Sequence, residues 1–191
     1  MVIINASKEN AAELAYLINL AGEGIPAYLW QDMAEENESP LDVGKRRAAR
    51  EEGSFSYRNA KICVENHALL GMLISYRQPD PYIIDDILEY PELVRPLIEL
   101  EARAPGSWYI NAIATYEEHR GKGVASMLLA EAEALAKHHS CKLMSLIVAS
   151  ENNTAYLLYK HLGFEAKASL AIIPYPGCAD RGNWVLMTRE I

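Results

Sequence analysis

Cysteine is scarce and does not pair off: Cys63, Cys141 and Cys178 are odd in number, far apart and without metal-ligand spacing. This pattern speaks against a disulfide framework and a cysteine-built metal site. The three read as reduced thiols of a cytoplasmic protein. A catalytic thiol is the sharper alternative, and small buried hydrophobes the plainer one. Long apolar runs are missing too. Met1 to Ile4 is apolar, but Asn5, Ser7, Lys8 and Glu9 end it short of a signal h-region. Nothing else approaches the roughly 18 apolar residues that cross a bilayer. Positive charge is in deficit, with 18 Lys and Arg against 26 Asp and Glu, a net charge of −8. That balance opposes a nucleic-acid or anionic-membrane partner, since both need a basic surface. Repeats, low-complexity tracts and Gly/Ser-rich linkers are absent. What remains is 191 residues, half of them hydrophobic. This suits one compact α/β domain over residues 1–191 and is short for two.

Local signals then divide the chain. Met1–Ala6 reads as a first strand. Ser7 is a plausible N-cap with Asn10 in place of the Glu of a full capping box, opening a helix to about Ala21. Gly22, Gly24 and Pro26 end that helix. Ser39-Pro40 opens a second, with Pro at its first position. Its Lys45, Arg46, Arg47 and Arg50 suit a solvated face, although they could meet an adenosine 3′-phosphate. Tyr57–Glu65 and Ala68–Arg77 read as a hairpin turning at Asn66-His67. A helix is expected from about Glu92 to Arg103. Trp108–Thr115 reads as a strand, Gly123 to about His138 as a helix, Leu143–Ala149 as a strand and Thr154–Leu162 as a helix. Two strands follow, near Glu165–Ile173 and Trp184–Glu190. Strand and helix alternation with hairpins on either side predicts a mixed sheet of about seven strands with helices on both faces.

The most informative stretch is His119-Arg120-Gly121-Lys122-Gly123-Val124-Ala125, between a strand and a helix. Free N–H groups at a helix start converge on one spot, and the helix dipole adds positive charge there. Gly121 and Gly123 permit positive φ and leave room for an anion. Arg120 and Lys122 add two charges. A Walker A loop would need a different spacing, and a dinucleotide fingerprint would need Gly where Ser126 stands. An ordinary Gly-rich turn is the bland alternative.

Two motifs decide against the bland alternative. Arg120-x-x-Gly123-x-Ala125 resembles the R/Q-x-x-G-x-G/A signature of the Gcn5-related N-acetyltransferase superfamily. The preceding Asn111-Ala112-Ile113-Ala114-Thr115 resembles that family's cofactor-binding strand. Further on, Asn152-Asn153-Thr154-Ala155-Tyr156-Leu157-Leu158-Tyr159-Lys160-His161-Leu162-Gly163-Phe164 is similar to its second motif, N-x-x-A-x-x-x-Y-x-x-x-G-F. The first half of the chain resembles the family only in its order of elements. The resemblance implies an acyl-CoA N-acyltransferase fold, acetyl-CoA as co-substrate and no metal. By that resemblance Ile113, Ala114 and Thr115 offer main-chain contacts to pantetheine and thioester. Arg120, Gly121, Lys122, Gly123, Val124 and Ala125 cradle the pyrophosphate. Asn152, Ala155 and Tyr156 meet the cofactor arm, and Tyr159 protonates the departing thiolate. A buried aromatic on an amphipathic helix is the plain reading of Tyr159.

Direct attack of an amine on a thioester needs no protein nucleophile. The thiolate leaves with a pKa around 8.5, within reach of modest acid assistance. The amine side is harder, because an ammonium of pKa about 10.4 is neutral at pH 7 in only roughly one molecule in 2,500. Some relatives place a Glu at the start of the cofactor-binding strand, where this chain reads Gly106-Ser107-Trp108-Tyr109. Glu101, Glu117 and Glu118 are the nearest carboxylates. Asp80, Asp85, Asp86, Glu89, Glu92, Glu99 and Glu101 form an acidic stretch, either a solvated surface or a mouth for a cationic amine. The expected acceptor is a small-molecule amine or amino acid. A protein N-terminus or lysine and a non-catalytic acetyl-CoA sensor are the alternatives. A homodimer would not be surprising.

Overall fold

The structure, a computed structural model, describes residues 1–176, 178 and 182–191. Its strands form one seven-stranded mixed sheet in the order β1-β2-β3-β4-β5-β7-β6, and the described residues form six α-helices, α1 to α6. The chain falls into two compact units, each drawn from two stretches of sequence.

The first unit comprises Met1–Tyr76 and Asn111–Ala132. It contains β1 (Val2–Asn5), α1 (Ala11–Ala21), α2 (Ile25–Gln31), α3 (Pro40–Ala48), β2 (Ala60–Glu65) and nearly all of β3 (Ala68–Arg77). The two-residue turn between β2 and β3 puts Asn66 at φ 49° and His67 at φ 65°, the conformation a tight hairpin requires. Alternation along the strands decides what each helix covers. Ala60, Ile62, Met72 and Ile74 join Leu14, Leu17, Ile18, Trp30 and Val43 in one buried cluster with α1, α2 and α3. The alternate residues turn the other way, toward α5 (Val124–His138). There Lys61 Nζ lies 3.2 Å from Glu131 Oε1, and a Cβ on Gly71 would meet Val124 at 3.0 Å. Glu131 breaks the apolar stripe of α5 in the sequence because it reaches a half-buried lysine.

In this unit three elements differ clearly from the sequence reading. The helix expected from Ser7 starts as a single 3-10 turn, Lys8–Asn10, with Asn10 Oδ1 accepting the Ser7 amide at 3.0 Å. Gly22, Gly24 and Pro26 end α1 but also start α2. Gly24 turns left-handed at φ 90°, Pro26 sits in the first turn, and Asn19 Oδ1 accepts the Ala27 amide at 2.9 Å. The strand expected from Tyr57 begins at Ala60, after a 3-10 turn at Tyr57–Asn59.

The second unit comprises Arg77–Ile110 and Glu133–Ile191. It holds α4 (Arg95–Glu101), shorter than expected because Glu92–Val94 is a 3-10 turn. It also holds the start of β4 (Trp108–Thr115), β5 (Leu143–Ala149), α6 (Asn153–His161), β6 (Glu165–Ala171) and β7 (Asn183–Glu190). β5 pairs antiparallel with β7 along its whole length, from Leu143↔Glu190 to Ala149↔Trp184. Its parallel ladder with β4 spans only Trp108↔Met144, Tyr109↔Ser145 and Ile110↔Leu146, the first three residues of an eight-residue strand. Arg189 ties β7 to its surroundings, donating to the Leu162 carbonyl at 2.9 Å and pairing with Glu133.

Candidate active site

The sequence-chosen residues fall into two sets, one in each unit. In the first unit, β4 ends at Thr115, a 3-10 turn covers Glu117–His119, and α5 begins at Val124. Gly121 and Gly123 both adopt positive φ, 73° and 82°. A Cβ built on either would meet nothing within 4 Å, so the backbone borders open space. The earliest carbonyl to accept a helical bond is that of Gly123, from the Met127 amide at 3.1 Å. The amides of Val124, Ala125 and Ser126 thus have no acceptor inside the helix, and they point along its axis with the positive end of its dipole. The Val124 side chain is buried at 2% exposure, so packing holds the helix start while its N–H groups stay outside. Arg120 and Lys122 are exposed, and Lys122 Nζ stands 3.3 Å from His119 Nδ1.

These features suit a diphosphate. Open space lies where side chains would otherwise stand, and amide donors and two cations surround it. Thr115 adds a second feature: its hydroxyl oxygen is buried with no protein partner, a donor left for a ligand. Ala114 beside it is 8% exposed, and Ile113 is half-buried. The residues present therefore fit the cofactor that the motifs imply.

In the second unit, Asn152 caps α6, its side-chain oxygen accepting the Ala155 amide at 3.2 Å. That bond explains why the motif begins with Asn, a strong N-cap residue. Tyr156 lies on the first turns of α6, half-buried, with Lys160 Nζ 6.0 Å from its ring centroid. Tyr159 is 7% exposed and meets Phe164 edge to face, ring centroids 6.0 Å apart. Burial pushes its phenol up to about 12.

The carboxylates nearest the cofactor-binding strand separate clearly. Glu117 and Glu118 are exposed. So are Asp80, Asp85, Asp86, Glu89, Glu92 and Glu99 of the acidic stretch, as expected of a solvated surface. Glu101 is different: its carboxyl group is desolvated, and burial raises its pKa, opposed by hydrogen bonds from the Tyr82 and Tyr109 hydroxyls. In the Gly106-Ser107-Trp108-Tyr109 segment, Ser107 is fully buried just before β4 and shares a 2.6 Å hydrogen bond with Ser145 of β5. The Ser107 hydroxyl also donates to the Ala104 carbonyl at 2.7 Å, so its bonds tie the entry of β4 to β5. The sequence hid the tyrosines around Glu101, because Tyr82 lies in a Pro-punctuated loop and Tyr109 on a strand, with no common spacing. Among the described residues no three His, Cys, Asp or Glu side chains gather as a metal ion would require. Likewise no described helix is long and apolar enough to cross a membrane.

The acetyltransferase (GNAT) family model matches residues 25–164. Among curated proteins, the chain is similar to GCN5-related N-acetyltransferase 4, chloroplastic, of Arabidopsis thaliana, 35% identical over 108 residues. The match takes in 56% of this chain and 33% of that one, so the chain spans about a third of the relative's length. Among solved structures, the polyamine N-acetyltransferase of Drosophila melanogaster has a TM-score of 0.71 at 11% identity, covering 100% of this chain and 99% of that one. The ribosomal-protein-alanine N-acetyltransferase of Brucella melitensis has a TM-score of 0.64 at 16% identity, covering 100% of both. At such identities the likeness is one of fold.

Proposed function

Because the chain belongs to the acetyltransferase (GNAT) family, we propose that it moves the acetyl group of acetyl-CoA to a primary amine by direct attack, as one catalytic domain. One observation carries this reading: the open backbone at Gly121 and Gly123 ahead of the free amides of α5. Acetyl-CoA supplies the activated acyl group when bound. In this reading Arg120 through Ala125 hold its pyrophosphate, by amide donors at Val124 and Ala125 and by charge at Arg120 and Lys122. Ile113, Ala114 and Thr115 offer main-chain groups, and the Thr115 hydroxyl, to the pantetheine arm. Asn152, Ala155 and Tyr156 meet that arm from α6. Tyr159 donates its phenolic proton to the leaving sulfur, and its burial keeps that proton in place at neutral pH.

We favour a small amine or amino acid as acceptor, with a protein N-terminus or lysine as the second reading. The fold is shared by enzymes named for polyamines and for a ribosomal-protein alanine, so fold does not choose between them. The net charge of −8 favours a cationic acceptor over an acidic one. A cytoplasmic setting belongs to the same proposal, although the Arabidopsis relative is named as chloroplastic.

The test is direct. Acetyl-CoA at about 100 times its Kd should stabilise the protein by about 2.7 kcal/mol, raising Tm by about 5–10 °C. Free thiol should then accumulate with one or more members of an amine panel. A shift without thiol release would turn the reading toward a sensor, and no shift at millimolar acetyl-CoA would overturn it.

A further inference from the structure

A carboxylate removed from water needs a compensating charge or a full set of donors. Glu101, the last residue of α4, has donors only. Tyr82, in the loop after β3, donates its O–H to Glu101 Oε2 at 2.9 Å. Tyr109, on β4 and 4% exposed, supplies a second hydroxyl. Gln78 follows β3, is 4% exposed and favours the charged form of the same carboxyl, while its Nε2 is buried without a protein acceptor in good hydrogen-bond geometry. Among the described residues no Lys, Arg or His forms an ion pair with Glu101 or contributes to its charge state. Two separate stretches of chain, the loop after β3 and β4, thus converge on one carboxyl group, and both bring neutral groups.

Among the described residues such a cage lacks one component, a cation. An ammonium or guanidinium group brought to this carboxyl would supply the missing charge at little cost beyond the desolvation already incurred. A buried structural tie would need no charge, since a glutamine amide would accept the same hydroxyls. The other acidic side chains of this stretch point into water and could serve only to draw a cation inward.

We propose that Glu101, framed by Tyr82 and Tyr109, is the site that recognises an organic cation carried by the acceptor, which makes the substrate class a diamine or a guanidinium-bearing amine. This rests on the acetyltransferase reading, in which one amino group reacts and the second positive charge is held at Glu101. Tyr82 and Tyr109 orient the carboxylate toward that charge, and Gln78 Nε2 stays available to a polar atom of the same ligand.

The experiment uses 1,4-diaminobutane against 1-aminopentane, which matches its length with one charge fewer. Binding is read first, by the Tm rise each amine gives without acetyl-CoA, and turnover second, as kcat/KM for each. The expected result is a Tm rise with the diamine and a preference for it of roughly tenfold or more, as for a charge-assisted contact. Both should collapse in Glu101→Gln. Tyr82→Phe keeps the charge but drops one donor and should reduce diamine binding by a smaller factor. Retention of the preference in Glu101→Gln would overturn the proposal, and so would equal binding of the two amines by wild type. Diamine binding lost in Glu101→Gln, with no thiol release from any amine, would uphold the cation site and sink the acetyltransferase reading instead.

Discussion

The Tyr159 phenol is held protonated by burial, which pushes it up to about 12, so at neutral pH it can donate a proton but not accept one. Tyr159→Phe removes one oxygen and keeps the ring that packs edge to face on Phe164. If the hydroxyl acts only as the thiolate departs, its contribution belongs to the transition state. We expect kcat to fall by about 10²–10⁴, while the Tm shift induced by acetyl-CoA stays at its wild-type size. Equal losses in rate and in affinity would make Tyr159 a binding residue, and full activity would remove it from the chemistry. At this scale the sequence told most where a residue's partners are close in the chain. Tyr159, Asn152 and the two loop glycines lie within short motifs, and Asn152 caps the helix it introduces. Glu131 looked like a flaw in an apolar face because its partner, Lys61, lies on a strand far upstream.

The start of α5 carries the cofactor proposal, and one position tests it as an element. Gly123 has φ 82°, where a side chain is strained whatever the space around it. Gly123→Asp adds that strain, of about 1–2 kcal/mol, and a negative charge beside the expected phosphates. The helix should survive, since Val124, Leu128 and Ala132 remain buried on the core side. The expected outcome is a modest drop in Tm without ligand and a complete loss of the acetyl-CoA shift. A shift that survives in this variant would move the diphosphate away from α5. The boundaries of β3, β4 and β5 match the sequence reading, because buried or alternating apolar runs end at clear turn residues. α2 escaped it because Gly24 and Pro26 signal a stop and a start in the same three residues.

Across the whole molecule, strand order was the least legible feature. That β7 inserts between β5 and β6 is set by long-range pairing that no local pattern announces, whereas the mixed character of the sheet followed from the order of elements. The charge balance is similar: the net value is plain in the sequence, but the desolvation of Glu101 is not. Its consequence is measurable in the stability of the entire fold. Glu101 has its folded-state pKa raised, chiefly by burial. Below about pH 4.5 both folded and unfolded states hold the proton, and the site costs nothing beyond an ordinary buried polar group. As pH rises through that value the unfolded chain releases its proton first, so wild type loses stability until the folded carboxyl also ionises. Glu101→Gln cannot titrate and keeps the shape. The difference in Tm, variant minus wild type, should therefore be smallest near pH 4, widen as pH rises, and level off once Glu101 is ionised in the fold. Other carboxylates contribute the opposite slope, since Glu133 is lowered by hydrogen bonds from Lys137 and Arg189, but that slope is common to both proteins and cancels in the difference. A flat difference across pH 4 to 8 would mean that Glu101 carries no unusual charge cost. A widening one shows a fold that tolerates a destabilising carboxylate at neutral pH, as binding sites do when a ligand supplies the missing charge. Added 1,4-diaminobutane should then narrow the gap on the high-pH side, once the folded carboxyl has ionised, and leave it unchanged at pH 4.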